Sequence, residues 1–354
     1  MTRPIHVAIL GASGYGAAEL LRLFTQHPAV EVVAVTSTSQ VGEPVAHVHP
    51  HLRGFYELAI TEAVDYERLL MGEHAVVFST LPHGASAAGI DRMLCAVPKD
   101  GARPRLRVID LSGDLRLSDP RLHEQTYPET PLLPEHRAAF VYGLPELFRE
   151  RVRTSRYVAN PGCLATAAIL AAAPLAGSGF TGALVIDAKT GSSGSGRQLR
   201  ETTHHPTRHA DFRAYKPLAH QHEPEILQAL GDPQGARIQL SFVAQSMDTA
   251  RGVFVTLHLT GPQPESATAL ARRYREFYAG SPFVRVVDES PTLQDVVGSN
   301  FCDIGVATRG RQIVVMAALD NLVKGMAGTA IQNMNLMCGL PETTGLWMPS
   351  LRPL

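Results

Sequence analysis

Residues 5–17 of the chain carry an apolar run and then a glycine-rich turn: Ile5-His6-Val7-Ala8-Ile9-Leu10-Gly11-Ala12-Ser13-Gly14-Tyr15-Gly16-Ala17. The run is long enough for one buried strand, and the residues from Ala17 to His27 have an apolar, helix-forming pattern. A second apolar run follows from Val30 to Thr36. This order of strand, glycine turn, helix and strand predicts a parallel sheet with helical crossovers.

Similar runs continue this pattern through the first part of the chain. Ala75 to Thr80 and Leu106 to Leu111 predict two further parallel strands. We therefore expect a Rossmann-like, doubly wound α/β domain over residues 1–157, an ordinary domain size of about 150 residues.

The pattern changes after Tyr157. An apolar helix is predicted from Leu164 to Ala176, and several later runs alternate as strands of an antiparallel sheet do. The predicted strands are Ala183 to Lys189, Ile238 to Val243, Val253 to Leu259 and Gln312 to Leu319, and a final helix is predicted from Ala327 to Cys338. We expect a second, α+β domain with a mixed, mainly antiparallel sheet and helices on one face.

Composition narrows the class of ligand. The 354 residues exceed the usual size of one hydrophobic core, which favours two domains. The net charge of -1 argues against nucleic acid or an anionic membrane as a partner, so small molecules are the expected ligands. Ile5 to Leu10 is too short for a signal or membrane segment, and we expect a cytoplasmic protein. The four cysteines lie far apart without a CxxC pair, so neither a disulfide framework nor a cysteine zinc site is predicted.

The glycine-rich turn lies between a predicted strand and a predicted helix, where backbone N–H groups and the helix dipole can hold a pyrophosphate. Its spacing is GxxGxxA rather than GxGxxG, and a tight turn needs glycine for steric reasons as well. Because strand, helix and following strand all accompany the turn, we predict a dinucleotide site. Its residues are Gly11, Ala12, Ser13, Gly14, Tyr15 and Gly16.

The end of the second predicted strand favours NADP over NAD. An NAD site usually has an acidic residue roughly 20 residues beyond the glycines, where it binds the ribose 2′-hydroxyl. Here the sequence reads Thr36-Ser37-Thr38-Ser39, and the next acid is Glu43. Hydroxyl donors without a carboxylate suit a 2′-phosphate, so NADPH/NADP+ is predicted, bound in part by Thr36, Ser37 and Thr38. They can also be ordinary polar residues at a strand end.

Cys163 is the predicted nucleophile. Asn160-Pro161-Gly162-Cys163 directly precedes the apolar helix, which places the cysteine in its first turn. Unpaired N–H groups and the helix dipole stabilise a thiolate at that position. The alternative is a small buried cysteine that serves only packing.

Two polar segments downstream could complete a catalytic site. Residues 189–197 form a small-residue loop that ends in Arg197, and such a loop can offer N–H groups and a guanidinium to an oxyanion or phosphate. His220 and His222 can supply an acid or base. With Glu225 they could instead bind a metal, and three further histidines strengthen that reading, but no fourth ligand is defined and no metal is predicted. The further histidines are His204, His205 and His209, and all of them can also be solvated loop residues.

Ordered motifs along nearly the whole chain resemble the N-acetyl-γ-glutamyl-phosphate reductase family (type 1), within the aspartate-semialdehyde dehydrogenase-like superfamily. The motifs are Gly11-Ala12-Ser13-Gly14-Tyr15, Leu81-Pro82-His83-Gly84, Val108-Ile109-Asp110-Leu111-Ser112, Tyr142-Gly143-Leu144-Pro145-Glu146, Asn160-Pro161-Gly162-Cys163 and Asp320-Asn321-Leu322-Val323-Lys324-Gly325.

The resemblance implies a role for individual residues. Cys163 matches the family's nucleophile, His222 its acid/base histidine with His220 as the alternate, and Arg197 its substrate-binding arginine. Ser193 and Glu225 belong to the same two blocks and are expected at the substrate, while Pro82 and Asn321 are expected at the cofactor. The resemblance also implies that residues 321–354 rejoin the first domain, which leaves 158–320 as the catalytic and dimerisation domain.

Some positions depart from the family pattern. Thr38 stands where an arginine is common, and the cysteine block reads Cys-Leu-Ala-Thr instead of Cys-Tyr-Pro-Thr. With His204-His205-Pro206 and Tyr215-Lys216-Pro217, these changes resemble the sister reductase that acts on carrier-protein-bound aminoadipyl phosphate in lysine synthesis. Asn160-Pro161 and the run from Ser193 to Arg197 fit the arginine-pathway enzyme better.

The resemblance therefore implies NADPH-dependent reduction of N-acetyl-L-glutamyl 5-phosphate to the 5-semialdehyde through a cysteine thioester, by a homo-oligomer (dimer or tetramer). An amino-group carrier protein is the partner under the lysine-pathway alternative. A non-catalytic NADPH sensor is a further alternative, because a fold does not fix a function.

Overall fold

The computed structural model describes residues 3–97 and 106–353. The chain divides into two compact units, Met1–Pro161 with Ala327–Leu346 and Gly162–Met326 with Trp347–Leu354. The sequence predicted domains at 1–157 with 321–354 and at 158–320, whose terminal residues 1, 2 and 354 lie outside the described ranges. No helix within those ranges combines the length and the apolar character needed to cross a membrane.

The first unit contains a six-stranded parallel sheet in the order β2-β1-β3-β4-β6-β5. The strands are β1 Ile5–Leu10, β2 Val30–Thr36, β3 Ala75–Ser79, β4 Leu106–Asp110, β5 Val141–Tyr142 and β6 Tyr157–Ala159. The helices are α1 Tyr15–Phe24, α2 Val45–Val48, α3 Tyr66–Leu70, α4 Ser86–Ala96, α5 Pro120–Thr126, α6 Pro134–Ala139, α7 Pro145–Thr154 and, late in the chain, α12 Gly328–Met337. The predicted Rossmann-like parallel sheet is confirmed.

Element ends differ slightly from the prediction. Strands β1 and β2 have the predicted bounds, whereas β3 and β4 each end one residue earlier, before Thr80 and Leu111. Helix α1 begins at Tyr15 rather than Ala17, because the glycine turn is tighter than the apolar pattern suggested. Pro28 follows the short turn after α1, and a proline cannot continue a helix.

The second unit contains a seven-stranded sheet in the order β11-β12-β13-β10-β7-β9-β8. Its strands are β7 Gly182–Thr190, β8 Arg213–Tyr215, β9 Ile238–Ser246, β10 Val253–Thr260, β11 Val284–Val286, β12 Cys302–Arg309 and β13 Gln312–Leu319. Its helices are α8 Cys163–Ala176, α9 His205–Arg208, α10 His222–Ala229 and α11 Ala267–Phe277. Only β7/β9 and β11/β12 pair in parallel among the named strands, so the predicted mixed, mainly antiparallel sheet is confirmed.

One face of this second sheet carries the helices. In β7, Leu184, Ile186 and Ala188 are buried, whereas Val185 between them is 42% exposed. Helix α8 contacts β10 and β13 as well as α10 and α11. The alternation along β7 therefore gives the sheet one packed face and one open face.

Two segments near the end of the chain differ from the predicted arrangement. Residues Val323–Ala327 form a π-helix that the sequence did not predict, and α12 follows it within one residue of the predicted bounds, Ala327 and Cys338. The last residues group with the second unit, because the Trp347 ring packs against Phe283 and Phe301 and the Leu351 N–H donates to the Val297 carbonyl.

Helix α8 contains Pro174, which removes one helical N–H donor. In an α-helix that N–H would reach the carbonyl of Leu170. The Tyr278 hydroxyl donates to this carbonyl instead, at 2.6 Å, and the neighbouring Tyr274 hydroxyl donates to the carbonyl of Ala171 at 2.5 Å. Helix α11 and the residue after it thereby satisfy the buried backbone of α8.

We predict that Tyr278→Phe destabilises the protein by about 1–3 kcal/mol, because the Leu170 carbonyl loses the donor that replaces the proline N–H. Tyr274→Phe is the matched control: the Ala171 carbonyl keeps the helical N–H of Leu175, so the cost should be about 0.5–1.5 kcal/mol. Urea unfolding at neutral pH measures both. Equal costs would show that the proline does not matter.

Candidate active site

The predicted pyrophosphate loop of the first unit is held between the ends of neighbouring strands. The N–H groups of Gly11 and Ala12 both donate to the Thr36 carbonyl, at 3.0 and 2.8 Å. Gly11 has φ +95°, and a Cβ there would lie 3.0 Å from the hydroxyl oxygen of Thr80 and 3.2 Å from the backbone nitrogen of Leu81. Only glycine fits this conformation and this space.

Helix α1 begins directly after this loop and presents its amino end. Its cap residue is Gly14, which is extended and has no side chain to occupy the first N–H groups. The first turn contains no acidic residue, so nothing there opposes an anion. Tyr15 is partly exposed at this end, and Ser13 and Gly16 flank Gly14 with intermediate exposure. The arrangement fits a phosphate group.

His49 contacts the predicted pyrophosphate loop, and the sequence did not predict this contact. Its ring is buried, and Nε2 donates to the Ala12 carbonyl at 2.7 Å. It follows the short helix α2 and lies 37 residues from Ala12 along the chain, so no local pattern indicated the contact. The histidine fixes the carbonyl side of the turn.

The remaining predicted cofactor residues of this unit lie on loops after β2 and β3. The Ser37 hydroxyl accepts from the Ser39 N–H, and Thr38 is exposed. Pro82 is exposed, and its carbonyl accepts from Ala85 and Ser86 where α4 begins. All these loops follow the carboxyl ends of parallel strands, which is where open α/β sheets bind ligands.

In the second unit, Cys163 is the first residue of α8 and is partly exposed. The N–H of the cap residue Gly162 donates to the Glu225 carboxylate at 2.7 Å, and Thr166 donates to the Gly162 carbonyl through both its N–H and its hydroxyl. The first turn of α8 contains no acidic residue. The helix amino end therefore favours a negatively charged sulfur.

The two predicted histidines lie side by side at the start of α10. Their ring centroids are 4.6 Å apart, both rings are buried, and Nδ1 of His220 accepts from the backbone N–H of His222 at 3.1 Å. Burial, and then the positive charge of Lys216, lower the pKa of His220 to about 4. His220 is therefore neutral at neutral pH, and its proton is on Nε2.

Tyr215 is a further member of this group. It is the last residue of β8, and its ring lies 5.5 Å from that of His220. Burial raises the pKa of Tyr215, and the negative charge of Cys163 raises it further. A negative charge on Cys163 therefore opposes ionisation of the phenol. In the sequence, Tyr215 stands out only as part of a departure from the family pattern.

The predicted loop after β7 rests on the turn before β10. Ser193 donates through its hydroxyl to the Ala250 carbonyl at 2.6 Å. The Asn321 amide donates to the same hydroxyl at 2.9 Å, and the Asn321 carbonyl oxygen accepts from the Gly252 N–H at 2.8 Å. Ser193 and Asn321 are therefore in contact, and Arg197 is exposed at the end of the loop.

The residues that suggested a metal have other partners in the structure. His209 pairs with Asp248 at 3.3 Å and its ring lies 5.3 Å from that of His205, while Glu225 is engaged with Gly162. Across residues 3–97 and 106–353, no group of three or more histidine, cysteine, aspartate or glutamate side chains is arranged to hold a metal ion.

Comparisons with known proteins agree with this architecture. Residues 6–155 match the model of the semialdehyde dehydrogenase NAD binding domain, and residues 163–321 match that of the semialdehyde dehydrogenase dimerisation domain. The N-acetyl-gamma-glutamyl-phosphate reductase of Symbiobacterium thermophilum is 45% identical over 97% of both chains, and that of Methanosarcina acetivorans is 44% identical over 98% of this chain and 99% of the relative. The chain belongs to the N-acetyl-γ-glutamyl-phosphate reductase family. It is accordingly an NAD(P)-dependent oxidoreductase of the semialdehyde dehydrogenase group, as predicted.

Two further similar proteins are informative, one about the substrate and one about the fold. A putative [LysW]-L-2-aminoadipate 6-phosphate reductase of Thermomicrobium roseum is 43% identical over 99% of both chains. Among solved structures, aspartate semialdehyde dehydrogenase II of Vibrio cholerae covers 95% of this chain and 98% of its own with a TM-score of 0.67 at 15% identity. That likeness establishes the shared fold.

We predict that His220 remains neutral well below pH 6, because burial and Lys216 both oppose its protonation. In the unfolded chain the group takes up a proton near pH 6.5, so the stability that it contributes above pH 6.5 is lost as the pH falls towards 4. Nitrogen NMR of labelled histidines, with His220→Gln to assign the signal, should show the Nε2–H tautomer at pH 5.5. A titration midpoint above pH 6 would contradict the prediction.

Proposed function

We propose that this protein reduces N-acetyl-L-glutamyl 5-phosphate to N-acetyl-L-glutamate 5-semialdehyde and phosphate, with NADPH as reductant, in arginine biosynthesis in the cytoplasm. The observation that carries the proposal is the placement of Cys163 at the amino end of α8, where the preceding Gly162 N–H is bonded to Glu225 of α10, the helix that begins at His222. The names of relatives at 40–45% identity support the substrate.

Cys163 is the proposed nucleophile. Its thiolate attacks the acyl carbon, a carbon–sulfur bond forms, the bond to the phosphate oxygen breaks, and inorganic phosphate leaves. When bound, NADPH supplies the hydride that converts the thioester to the aldehyde and returns the thiolate. The loop at Gly11 and the uncapped start of α1 fit its pyrophosphate, and Ser37 and Thr38 are the proposed donors to its 2′-phosphate.

His222 is the proposed acid that protonates the departing phosphate. His220 is less suited to this task, because its Nδ1 accepts from the His222 backbone and its pKa is about 4. At neutral pH a histidine with so low a pKa is not in the imidazolium form, so it cannot act as the general acid. His220 instead acts by holding the start of α10.

Arg197, Ser193 and Glu225 are the proposed substrate-site residues. The exposed guanidinium of Arg197 can bind a carboxylate or phosphate of the substrate. Ser193 is fixed by Ala250 and Asn321, so it shapes the loop that carries Arg197. Glu225 acts through the Gly162 N–H, which it holds in front of the nucleophile. Asn321, which resemblance places near the nicotinamide, is proposed to act there through its backbone.

A carrier-linked aminoadipyl phosphate is the second candidate substrate, favoured by the relative from Thermomicrobium roseum. An acidic carrier protein would need a basic docking surface. Of the arginines and lysines between residues 197 and 216, Arg208 is buried and Arg213 pairs with Asp211 at 3.4 Å. Arg197, Arg200 and Lys216 remain exposed, a small patch that suits a small substrate better.

We propose that the protein works as a homo-oligomer, with the open face of the second sheet against a second copy. Apolar residues of three neighbouring strands share this face: Val185 of β7, Phe254 of β10, and Val314 and Met316 of β13. Residues 163–321 also match a dimerisation domain. Sedimentation should show a dimer or larger species, and Val185→Asp should weaken it. Val41→Asp, at an exposed valine of the first unit, is the control; a wild-type monomer would refute the proposal.

The decisive assay compares substrates in the reverse direction, with phosphate and NADP+. We expect efficient oxidation of N-acetyl-glutamate 5-semialdehyde with little dependence on salt, because a small acetylated substrate does not need a charged docking surface. Arg197→Gln should lower this activity, and Arg200→Gln should leave it unchanged.

The result against the proposal would be negligible activity on the acetylated compound, with salt-sensitive activity on the carrier-linked semialdehyde that Arg200→Gln reduces. That outcome would assign the protein to carrier-linked substrates. Tight NADPH binding without turnover of either compound would favour a sensor.

A further inference from the structure

Gly325, within the π-helix at Val323–Ala327, packs against the predicted nucleophile Cys163. An added Cβ on Gly325 would lie 2.6 Å from the Cβ and 3.1 Å from the Cα of Cys163. Ordinary contacts of this kind are about 1 Å longer, so any side chain at Gly325 would displace the first residue of α8 or the turn itself. The backbone of Gly325 therefore forms the wall against which the cysteine rests.

The widened turn is what brings this glycine to the cysteine. The Gly325 N–H donates to the Asp320 carbonyl, five residues earlier, at 2.8 Å, which is the hydrogen bond of a π-helix. A regular α-helical turn would place a different residue at this point. Such single π-turns occur frequently at functional sites.

Asp320 fixes the turn to the rest of the second unit. Its carboxylate is fully buried and accepts from the N–H groups of Leu322 and Val323 within the turn. It also accepts from the Gly298 N–H at 2.7 Å and from the Arg251 guanidinium at 3.2 Å. Four donors thus hold a single carboxylate, and the next residue, Asn321, reaches the loop of Ser193.

We propose that Gly325 and Asp320 are positioning residues for the Cys163 sulfur: Asp320 anchors the π-turn, and the bare backbone of Gly325 sets how far the nucleophile projects from the start of α8. The inference rests on the proposed role of Cys163 as nucleophile. Neither residue needs to touch the substrate for this role.

The test uses Gly325→Ala in the full-length protein. A displacement of about 1 Å can lower a rate by about 100-fold, so we expect kcat to fall by at least 10-fold with little change in the KM for NADPH. The sulfur also moves away from the helix amino end, so the pH midpoint of Cys163 alkylation by iodoacetamide should rise. A change confined to general stability would not move that midpoint.

Gly305→Ala is the matched control. Its added Cβ would lie 2.6 Å from the Glu289 carbonyl oxygen, a clash of the same size in β12 of the same unit. It should lower stability while the alkylation midpoint of Cys163 stays that of the wild type. If Gly325→Ala fails to fold, Asp320→Asn, which keeps the shape and weakens the anchor of the π-turn, should shift the midpoint and lower kcat to a smaller extent.

The outcomes distinguish the role of Cys163 as nucleophile from the positioning role of Gly325 and Asp320. Wild-type Cys163 that alkylates no faster than the exposed Cys95 would refute the nucleophile itself. A rapidly alkylating wild-type Cys163 whose midpoint and kcat are unchanged in both Gly325→Ala and Asp320→Asn would overturn the positioning role alone.

Discussion

The hydrogen bond from the Gly162 N–H to the buried Glu225 carboxylate is the contact on which the site in the second unit depends. It joins the residue before α8 to the first turn of α10, so it links Cys163 to the helix that begins at His222. A carboxylate bound to a backbone N–H forms a charge-assisted bond, stronger than a neutral one. Because Glu225 accepts from the residue before Cys163, its negative charge is partly neutralised by that N–H.

Two glycines apply the same physical principle in different units. Gly11 has a left-handed conformation and leaves no room for a Cβ beside Thr80, and Gly325 leaves none beside Cys163. In each case the backbone approaches its neighbour more closely than a side chain would allow. Glycine permits both close approaches, although it loses more backbone entropy on folding than any other residue.

Most of the fold followed from short-range patterns in the sequence. The apolar runs at β1, β2 and β13 gave strands with the predicted bounds, and the glycine turn correctly preceded a helix. Periodicity succeeds there because strand and helix burial repeat every few residues. Periodicity did not predict the π-helix at Val323–Ala327, because that turn depends on Asp320 accepting from distant groups such as Gly298.

The parts of the site that sequence reasoning missed share one property. His49 reaches Ala12 across 37 residues, and the charge of Cys163 raises the pKa of Tyr215, which lies on a short strand 52 positions later. Such contacts depend on sheet order, which no local pattern encodes. Cys163 was recognised because its signal, a cysteine after Asn-Pro-Gly and before an apolar helix, is contiguous. The role of Cys163 is still a prediction, and it is the claim that most needs measurement.

The most direct measurement supplies the protein with N-acetyl-glutamate 5-semialdehyde and NADP+ in the absence of phosphate, then records NADPH formation and the mass of the intact chain. Without phosphate the acyl group has no acceptor, so we predict a burst of one NADPH per chain and a mass increase equal to the acyl group. Peptide mapping should place the group on Cys163, added phosphate should release it, and Cys163→Ser should show neither signal. A burst without an adduct, or steady turnover by Cys163→Ser, would contradict covalent catalysis by this cysteine.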